Sequence, residues 1–239
     1  MKDRSGPGIR EQIESGDNRG ELELLGSRLE KGHGPARLAM VSTMGASDFL
    51  AAIAVAGVGS PPSIGPTLVH SSPSRPALEW AAGETTLAEV FPHVPRTKRL
   101  ALSAGLLQML DFWDASHEAA QQADDLGEHT FSPFWHAIAH RREPDPGNAA
   151  YWFRRVGHHA VVEEIAEAVR PILDAHGDSS LSDRLLPNGA WDPFAFIAFC
   201  GEAAHHSSPE TERLARRIQR AEMIMLLEAT AKSMTRAPL

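Results

Sequence analysis

Histidine and acidic residues recur at helical spacing between Trp113 and His159. Six of the twelve histidines and three of the five tryptophans lie in this segment. Asp114 and His117 are three residues apart, so on a helix they share one face. On the next helical stretch, His136, His140 and Glu143 follow at i, i+4 and i+7, again on one face. Two helices with a short connection pack antiparallel, which would bring these faces together.

The donor atoms on these two faces suit a divalent transition metal. Imidazole nitrogens and a carboxylate oxygen are ligands for zinc, iron, manganese or nickel, and an i,i+4 histidine pair can chelate one ion from a helix. Glu143 is the predicted catalytic base, acting on metal-bound water as in a hydrolase. Neither H-E-x-x-H nor a repeated E-x-x-H occurs, which excludes the zinc-protease and di-iron patterns. The predicted metal ligands are Asp114, His117, His136 and His140.

A strip of arginine and aromatic residues follows the histidines. The planar arginine fork matches a carboxylate or phosphate, and an aromatic face can stack on a ring. The strip therefore predicts a pocket for a small anionic or hydroxylated ligand. The residues predicted to bind this ligand are Arg141, Arg142, Asn148, Tyr151, Trp152 and Arg154.

The same residues also fit a protein without catalytic activity. Buried histidines often bond to one another and to backbone carbonyls, and arginines pair with nearby carboxylates. Glu143, Asp145 and Glu163 would be the partners of the arginines. In this alternative, the protein is a structural or interaction protein with a buried network of histidine, arginine and carboxylate groups.

Helices must position these residues, and the sequence predicts an all-α fold. Alanine is abundant, aromatic residues make up 6%, and no alternating strand pattern is present. Residues 1–34 contain several glycines and are expected to form a flexible or peripheral arm. Residues 35–75 combine a buried helix with a linker rich in proline and glycine. Residues 76–239 are expected to form a helical bundle. The N-terminal third of the chain is expected to pack on this bundle or to extend around its surface.

Four helix starts share one signal, a capping side chain directly before proline. The cap oxygen accepts an unpaired backbone N–H, and proline fits the first helical turn. The last of these helices is predicted to span about residues 209–234. The four signals are Ser132-Pro133, Asp145-Pro146, Asp192-Pro193 and Ser208-Pro209.

Composition narrows the class of partner. The net charge of −8 gives no general attraction to phosphate backbones, so no nucleic-acid binding is expected. The one basic cluster, Arg213, Arg216, Arg217 and Arg220, is expected to lie on a solvated helix face.

Cys200, the sole cysteine, excludes an intramolecular disulfide and a cysteine-based zinc site. No stretch is apolar enough to span a bilayer and no secretory signal is visible, so a cytoplasmic location without membrane contact is expected.

The segment from Trp135 to Gly157 reads W-H-A-I-A-H-R-R-E-P-D-P-G-N-A-A-Y-W-F-R-R-V-G. This segment resembles the signature of a family of uncharacterised helical proteins from bacteria and fungi, W-H-x-x-x-H-R-R-E-x-D-x-x-N-x-x-Y-W-F-R-R-V-G. Members of that family also carry an upstream D-x-S-H element, which here is Asp114 to His117. The resemblance implies that residues 113–157 act as one unit. Because the family has no established activity, no function follows from it.

Overall fold

The computed structural model describes residues 8–15, 18–32, 39–41, 43–59, 63–205 and 208–235. These residues form helices joined by short connections, with no strand among them, as expected for the all-α class. Short 3₁₀ turns occur at Pro76–Leu78 and Pro187–Gly189. The helices are α1 (Ile9–Glu14), α2 (Arg19–Lys31), α3 (Ala46–Val58), α4 (Glu79–Ala82), α5 (Glu84–Val90), α6 (Arg96–Met109), α7 (Trp113–Asp125), α8 (Ser132–Arg142), α9 (Pro146–Val156), α10 (Val161–His176), α11 (Ser179–Leu185), α12 (Pro193–His205) and α13 (Pro209–Thr235).

Helix α6 lies in the centre of the bundle, buried along its length from Leu100 to Met109. It packs against α7, α8 and α13. Gly105 permits the close approach of α8, since the indole of Trp135 occupies the space that a side chain would fill. The hydroxyl of Ser116 donates to the carbonyl of Ala104, which satisfies one polar group at the contact of α6 with α7. This contact fixes the rotation of α7, and with it the direction of His117.

The described part of the N-terminal arm is helical and packed. Helices α1 and α2 both contact α3. Ile13 and Leu29 are buried and belong to the same hydrophobic cluster as the bundle. Residues 1–7, 16–17 and 33–34 of the predicted arm lie outside the described residues.

Residues 63–75, here called the strap, run across the surface of α13. Arg216 donates to the carbonyls of Gly65 and Pro66, and Arg220 donates to the carbonyl of Gly59 just before the strap. The expectation that the whole basic cluster is solvated is wrong for these two residues. Arg216 and Arg220 are four residues apart, so both lie on the face of α13 that meets the strap. Their guanidinium groups donate to backbone carbonyls that lie outside regular secondary structure. Arg213 and Arg217 are exposed.

Three of the four predicted caps form. The side chains of Asp145, Asp192 and Ser208 accept backbone N–H groups at the starts of α9, α12 and α13. Ser132 was expected to do the same at α8, and this prediction is wrong. The carboxylate of Glu128 accepts the N–H groups of Phe131 and Ser132 instead, because its longer, charged side chain reaches both donors.

Among the described residues, no helix is long and apolar enough to cross a membrane.

Candidate metal centre

Three histidines from two helices meet at the centre of the predicted site. His117 extends from α7, and His136 and His140 extend from successive turns of α8. One ring nitrogen of each lies within 4.8 Å of the others, and Nε2 of His117 is 2.9 Å from Nε2 of His136. Ligands of one ion must converge in this way, because each Zn–N bond is about 2.0–2.1 Å long. The three histidines therefore form a group that could hold a metal ion.

Burial differs between the three rings. His136 is 1% exposed and His140 is 8% exposed, whereas His117 is partly exposed. The centre thus has a closed side towards the core and an open side at His117. A catalytic metal needs such an open side, since one coordination position must remain for water or substrate.

Aromatic rings fix the orientation of two of the histidines. Trp152 stacks on His136 with ring centroids 3.8 Å apart. Trp113 stacks on His117 at 5.2 Å and on His70 at 5.0 Å, and its Nε1 donates to the carbonyl of Ala139 on α8. The bond to α8 holds the indole in place, so the imidazole of His117 has little freedom to rotate away from the centre.

Glu143 contacts the third histidine. Its Oε2 is 2.7 Å from Nδ1 of His140. A carboxylate at this position orients a histidine ligand and fixes its tautomer. The contact supports a positioning role for Glu143 beside the predicted role of base.

A second group of donor atoms shares His140. Carboxylate oxygens of Glu143 and Asp145 lie within 4.8 Å of a nitrogen of His140 and of each other. Asp145, however, caps α9 by accepting the backbone N–H and the side-chain amide of Asn148. The predicted ligand-binding residue Asn148 is thus engaged in a local turn.

The electrostatics of the centre favour neutral imidazoles. Burial, together with the charges of His117, His140 and Arg155, lowers the pKa of His136 to about 3. Burial and the charge of His140 also lower the pKa of His117. Both rings are therefore unprotonated near neutral pH, which is the form that binds a metal.

Asp114 lies outside the group of three histidines. Its side chain is exposed one turn before His117, where its negative charge acts on the ring of that residue. It lines an open cleft of about 530 Å³ together with His70, Asp111 and Trp113. Asp114 thus lies one turn from His117 on α7 and lines a cleft whose lining includes none of the three histidines.

The predicted arginine strip is divided between separate ion pairs. Arg141 points into the core, where two of its nitrogens lie 2.5 and 3.1 Å from the carboxylate of Glu222 on α13. Arg142, which is fully buried, pairs with Asp111 and donates to the carbonyl of Thr67 in the strap. These observed partners, Glu222 and Asp111, are distant in sequence from the arginines. The alternative interpretation expected pairing with the nearby Glu143, Asp145 and Glu163.

The remaining residues of the strip lie along α9. Tyr151 and Arg154 are exposed, and the 8% exposed Trp152 faces the histidines. Arg155 sits over the indole of Trp152 at 4.8 Å, and one of its terminal nitrogens donates to both carboxylate oxygens of Asp124 on α7. The strip does not converge on one pocket, and Trp152 is the member that touches the metal centre.

Sequence reasoning missed His70 and the role of Trp113 as a bridge. His70 belongs to the strap, whose prolines carry no helical periodicity, so no spacing connects it to the other histidines. Its position is set by tertiary bonds, including the one from its own N–H to the carbonyl of Arg142. Trp113 lies one turn before His117, and the i,i+4 spacing of these two residues could have predicted that their rings stack.

No protein-family model, curated protein or solved structure matches this chain.

Proposed function

We propose that this protein binds one first-row divalent metal ion through His117, His136 and His140 and uses it for hydrolysis. The observation that carries the proposal is the convergence of three imidazoles with one open side. Three protein ligands plus one open position is the arrangement of catalytic zinc sites. A metal held by these three residues would supply Lewis-acid chemistry for hydrolysis near neutral pH.

The surroundings support this chemistry. Glu143 would orient His140 from outside the first ligand shell, and Trp152 and Trp113 would hold the other two rings. The cleft of about 530 Å³ at Trp113 and Asp114, one turn along α7 from His117, would offer space for a substrate. Asp114 would contact a substrate in this cleft, since it is exposed and lines it.

Metal content tests the proposal directly. Purified protein would be incubated separately with zinc, manganese and iron(II), desalted and analysed by mass spectrometry for bound metal. We expect about one ion per chain, lost in His136→Ala and in His140→Ala. The exposed His93 provides a matched control, and His93→Ala should retain the metal. Metal no higher than background in the unsubstituted protein would overturn the proposal.

Hydrolysis requires a second measurement. Metal-loaded and chelator-treated protein would be compared on a panel of carboxylic esters, phosphate esters and amides. Turnover that requires the metal and falls in Asp114→Asn supports the hydrolase. Bound metal with no turnover on any of these classes would restrict the function to metal binding.

A second candidate is a structural network without metal. The 2.9 Å contact between His117 and His136 is also the length of an N–H···N hydrogen bond, which needs no ion. Absence of metal together with a loss of folding stability in His136→Ala would favour this candidate.

A further inference from the structure

Arg142 is the last residue of α8, two positions after the candidate ligand His140. Its side chain is fully buried, and its guanidinium donates to three separate parts of the chain. Nε donates to the carbonyl of Thr67 in the strap at 3.1 Å, and Nη1 donates to the carbonyl of Gln108 near the end of α6 at 3.0 Å. Nη2 pairs with the carboxylate of Asp111, in the turn between α6 and α7. One buried cation thus joins the strap, α6 and the start of α7 to the end of α8.

The turn that this guanidinium holds has a backbone that needs support. Asp111 has a φ of 65°, in the left-handed region, which is unfavourable for residues with a Cβ, although Asp and Asn adopt it more readily than most. Its Oδ1 accepts from Arg142, and its Oδ2 accepts from the hydroxyl of Ser71 in the strap at 3.2 Å. These bonds stabilise the turn that ends α6 at Met109 and begins α7 at Trp113. Arg142 therefore fixes the point at which α7 begins.

Trp113, the first residue of α7, connects this turn to the metal centre. The rings of His117 and His70 both stack on its indole. The backbone N–H of His70 donates to the carbonyl of Arg142 at 2.9 Å, so Arg142 also holds the strap residue that covers the indole. Nε1 of Trp113 donates to the carbonyl of Ala139 at 2.8 Å, which keeps the indole against α8. The side chain and the backbone of Arg142 therefore both restrict the tryptophan that packs on a candidate ligand.

The neighbouring Arg141 has different partners. It is also buried, but it pairs with Glu222 on α13 and lies over the ring of Phe196 on α12. Neither α12 nor α13 contributes any of the three candidate ligands. A buried arginine at the end of α8 thus does not by itself reach the metal centre.

We infer that Arg142 is a positioning residue of the metal centre, which holds His117 in place through Asp111 and Trp113. The inference rests on the proposed metal-binding function. The guanidinium bonds to Thr67, Gln108 and Asp111, none of which is a candidate ligand, so Arg142 acts on the centre only through other residues. Without Arg142 the turn and the strap are released, and the indole no longer holds the ring of His117.

Arg142→Met removes the guanidinium, and Arg141→Met on the same helix is the matched control. Hydrogen exchange of the indole N–H groups would be measured by NMR in the metal-free full chain, with the Trp113 signal assigned from Trp113→Phe. Trp135, whose Nε1 donates to Thr230 in the core, is the internal reference. We expect the exchange rate of Trp113 relative to Trp135 to rise at least about tenfold in Arg142→Met and to stay within about twofold in Arg141→Met.

Metal affinity is the second measurement. Competition with a chromophoric chelator should show an affinity reduced at least about tenfold in Arg142→Met, the loss typical of residues that support a ligand. Arg141→Met should bind metal with unchanged affinity, although it too loses a buried ion pair. A merely structural role of Arg142 would weaken metal binding equally in both variants.

Asp111 provides a second pair of variants, which replaces Arg142→Met if that variant fails to fold. Asp111→Ala removes the acceptor of Arg142 and should raise the relative exchange rate of Trp113 in the same way. Asp111→Asn keeps a side-chain oxygen that can accept from Arg142 and tolerates the left-handed region. It should therefore restore most of the protection of Trp113.

Two results would each overturn the inference. The first is an unchanged relative exchange rate of Trp113 in Arg142→Met, or in Asp111→Ala where that variant replaces it, whether or not the protein binds metal. The second is an equal loss of metal affinity in Arg141→Met and Arg142→Met. Absence of metal from the unsubstituted protein would instead overturn the proposed function, and a selective rise in Trp113 exchange would still support the positioning of Trp113 by Arg142.

Discussion

Nε2 of His117 and Nε2 of His136 are 2.9 Å apart, although nineteen residues separate them in the sequence. Two protonated imidazoles at this distance would repel each other strongly, so the two rings are not protonated together. Burial lowers the pKa of each ring, and the charges of neighbouring histidines lower it further. His140 completes the group from the next turn of α8.

Folding stability should depend on the protonation of His136. In the protein without metal, the pKa of His136 is about 3, against 6.5 for an unperturbed histidine. The unfolded chain therefore binds more protons between these values. The free energy of unfolding should fall as pH drops through this range, by up to about 1.4 kcal/mol per pH unit for this residue.

Urea denaturation from about pH 7 to about pH 4 measures this dependence. His136→Gln removes the titrating group and should give a shallower decline than the unsubstituted protein. His93→Gln, at an exposed position, should leave the slope unchanged. Equal slopes for all three proteins would contradict the prediction.

Glu143 should determine metal affinity through His140, provided that the centre binds metal. Loss of a carboxylate that orients a histidine ligand weakens metal binding by roughly 10- to 100-fold. Glu143→Gln should show this loss in a competition titration with a chromophoric chelator, with its helical circular dichroism intact. Glu167→Gln changes the same charge at an exposed position on α10 and should bind metal normally. An affinity for Glu143→Gln equal to that of the control would exclude the positioning role.

The buried pair of Arg141 and Glu222 should be sensitive to the loss of one partner. Their side chains are 1% and 0% exposed. Arg141→Met leaves a buried carboxylate without a counter-charge and should reduce the free energy of unfolding by about 3–5 kcal/mol. Adding Glu222→Met should recover part of that loss, since no unpaired charge remains.

Chemical denaturation of both variants measures the effect. The exposed pair of Arg184 and Glu202 is a suitable reference, with side chains 37% and 54% exposed. Arg184→Met should reduce the free energy of unfolding by no more than about 1 kcal/mol. A similar loss for Arg141→Met and Arg184→Met would show that the buried pair is not isolated from solvent.

Gly105 should not tolerate a side chain. A Cβ there would lie 2.5 Å from the ring of Trp135, which is fully buried. Gly105→Ala should therefore destabilise the protein by about 1–3 kcal/mol through overpacking, although alanine favours the helix. Gly20→Ala meets no neighbour and should stabilise it by about 0.5–1 kcal/mol. Thermal unfolding compares the two, and a Gly105→Ala variant as stable as the original would show that α6 and α8 can separate.

Local signals account for much of what could be predicted. The all-α class, the helix that carries His136 and His140, and the start of α9 at Asp145 all follow from interactions within a few residues. These features depend on backbone bonding and on spacing along one helix, both of which can be read from the sequence. Helical spacing also predicted that Asp114 would join His117, but Asp114 lies outside the group of three histidines.

Only the tertiary structure decided which groups pair. Arg141 meets Glu222 across 81 positions in the sequence, and Arg142 holds the strap across 75. His70 reaches Trp113 for the same reason, because the strap carries it there. Helix crossing angles and rotations result from packing the whole core, so the partner of a side chain on another element is not encoded in its local spacing. The sequence determined the helices and the histidine faces, whereas the packing determined that the arginines stabilise the fold and that Trp113 and Trp152 hold the histidine rings.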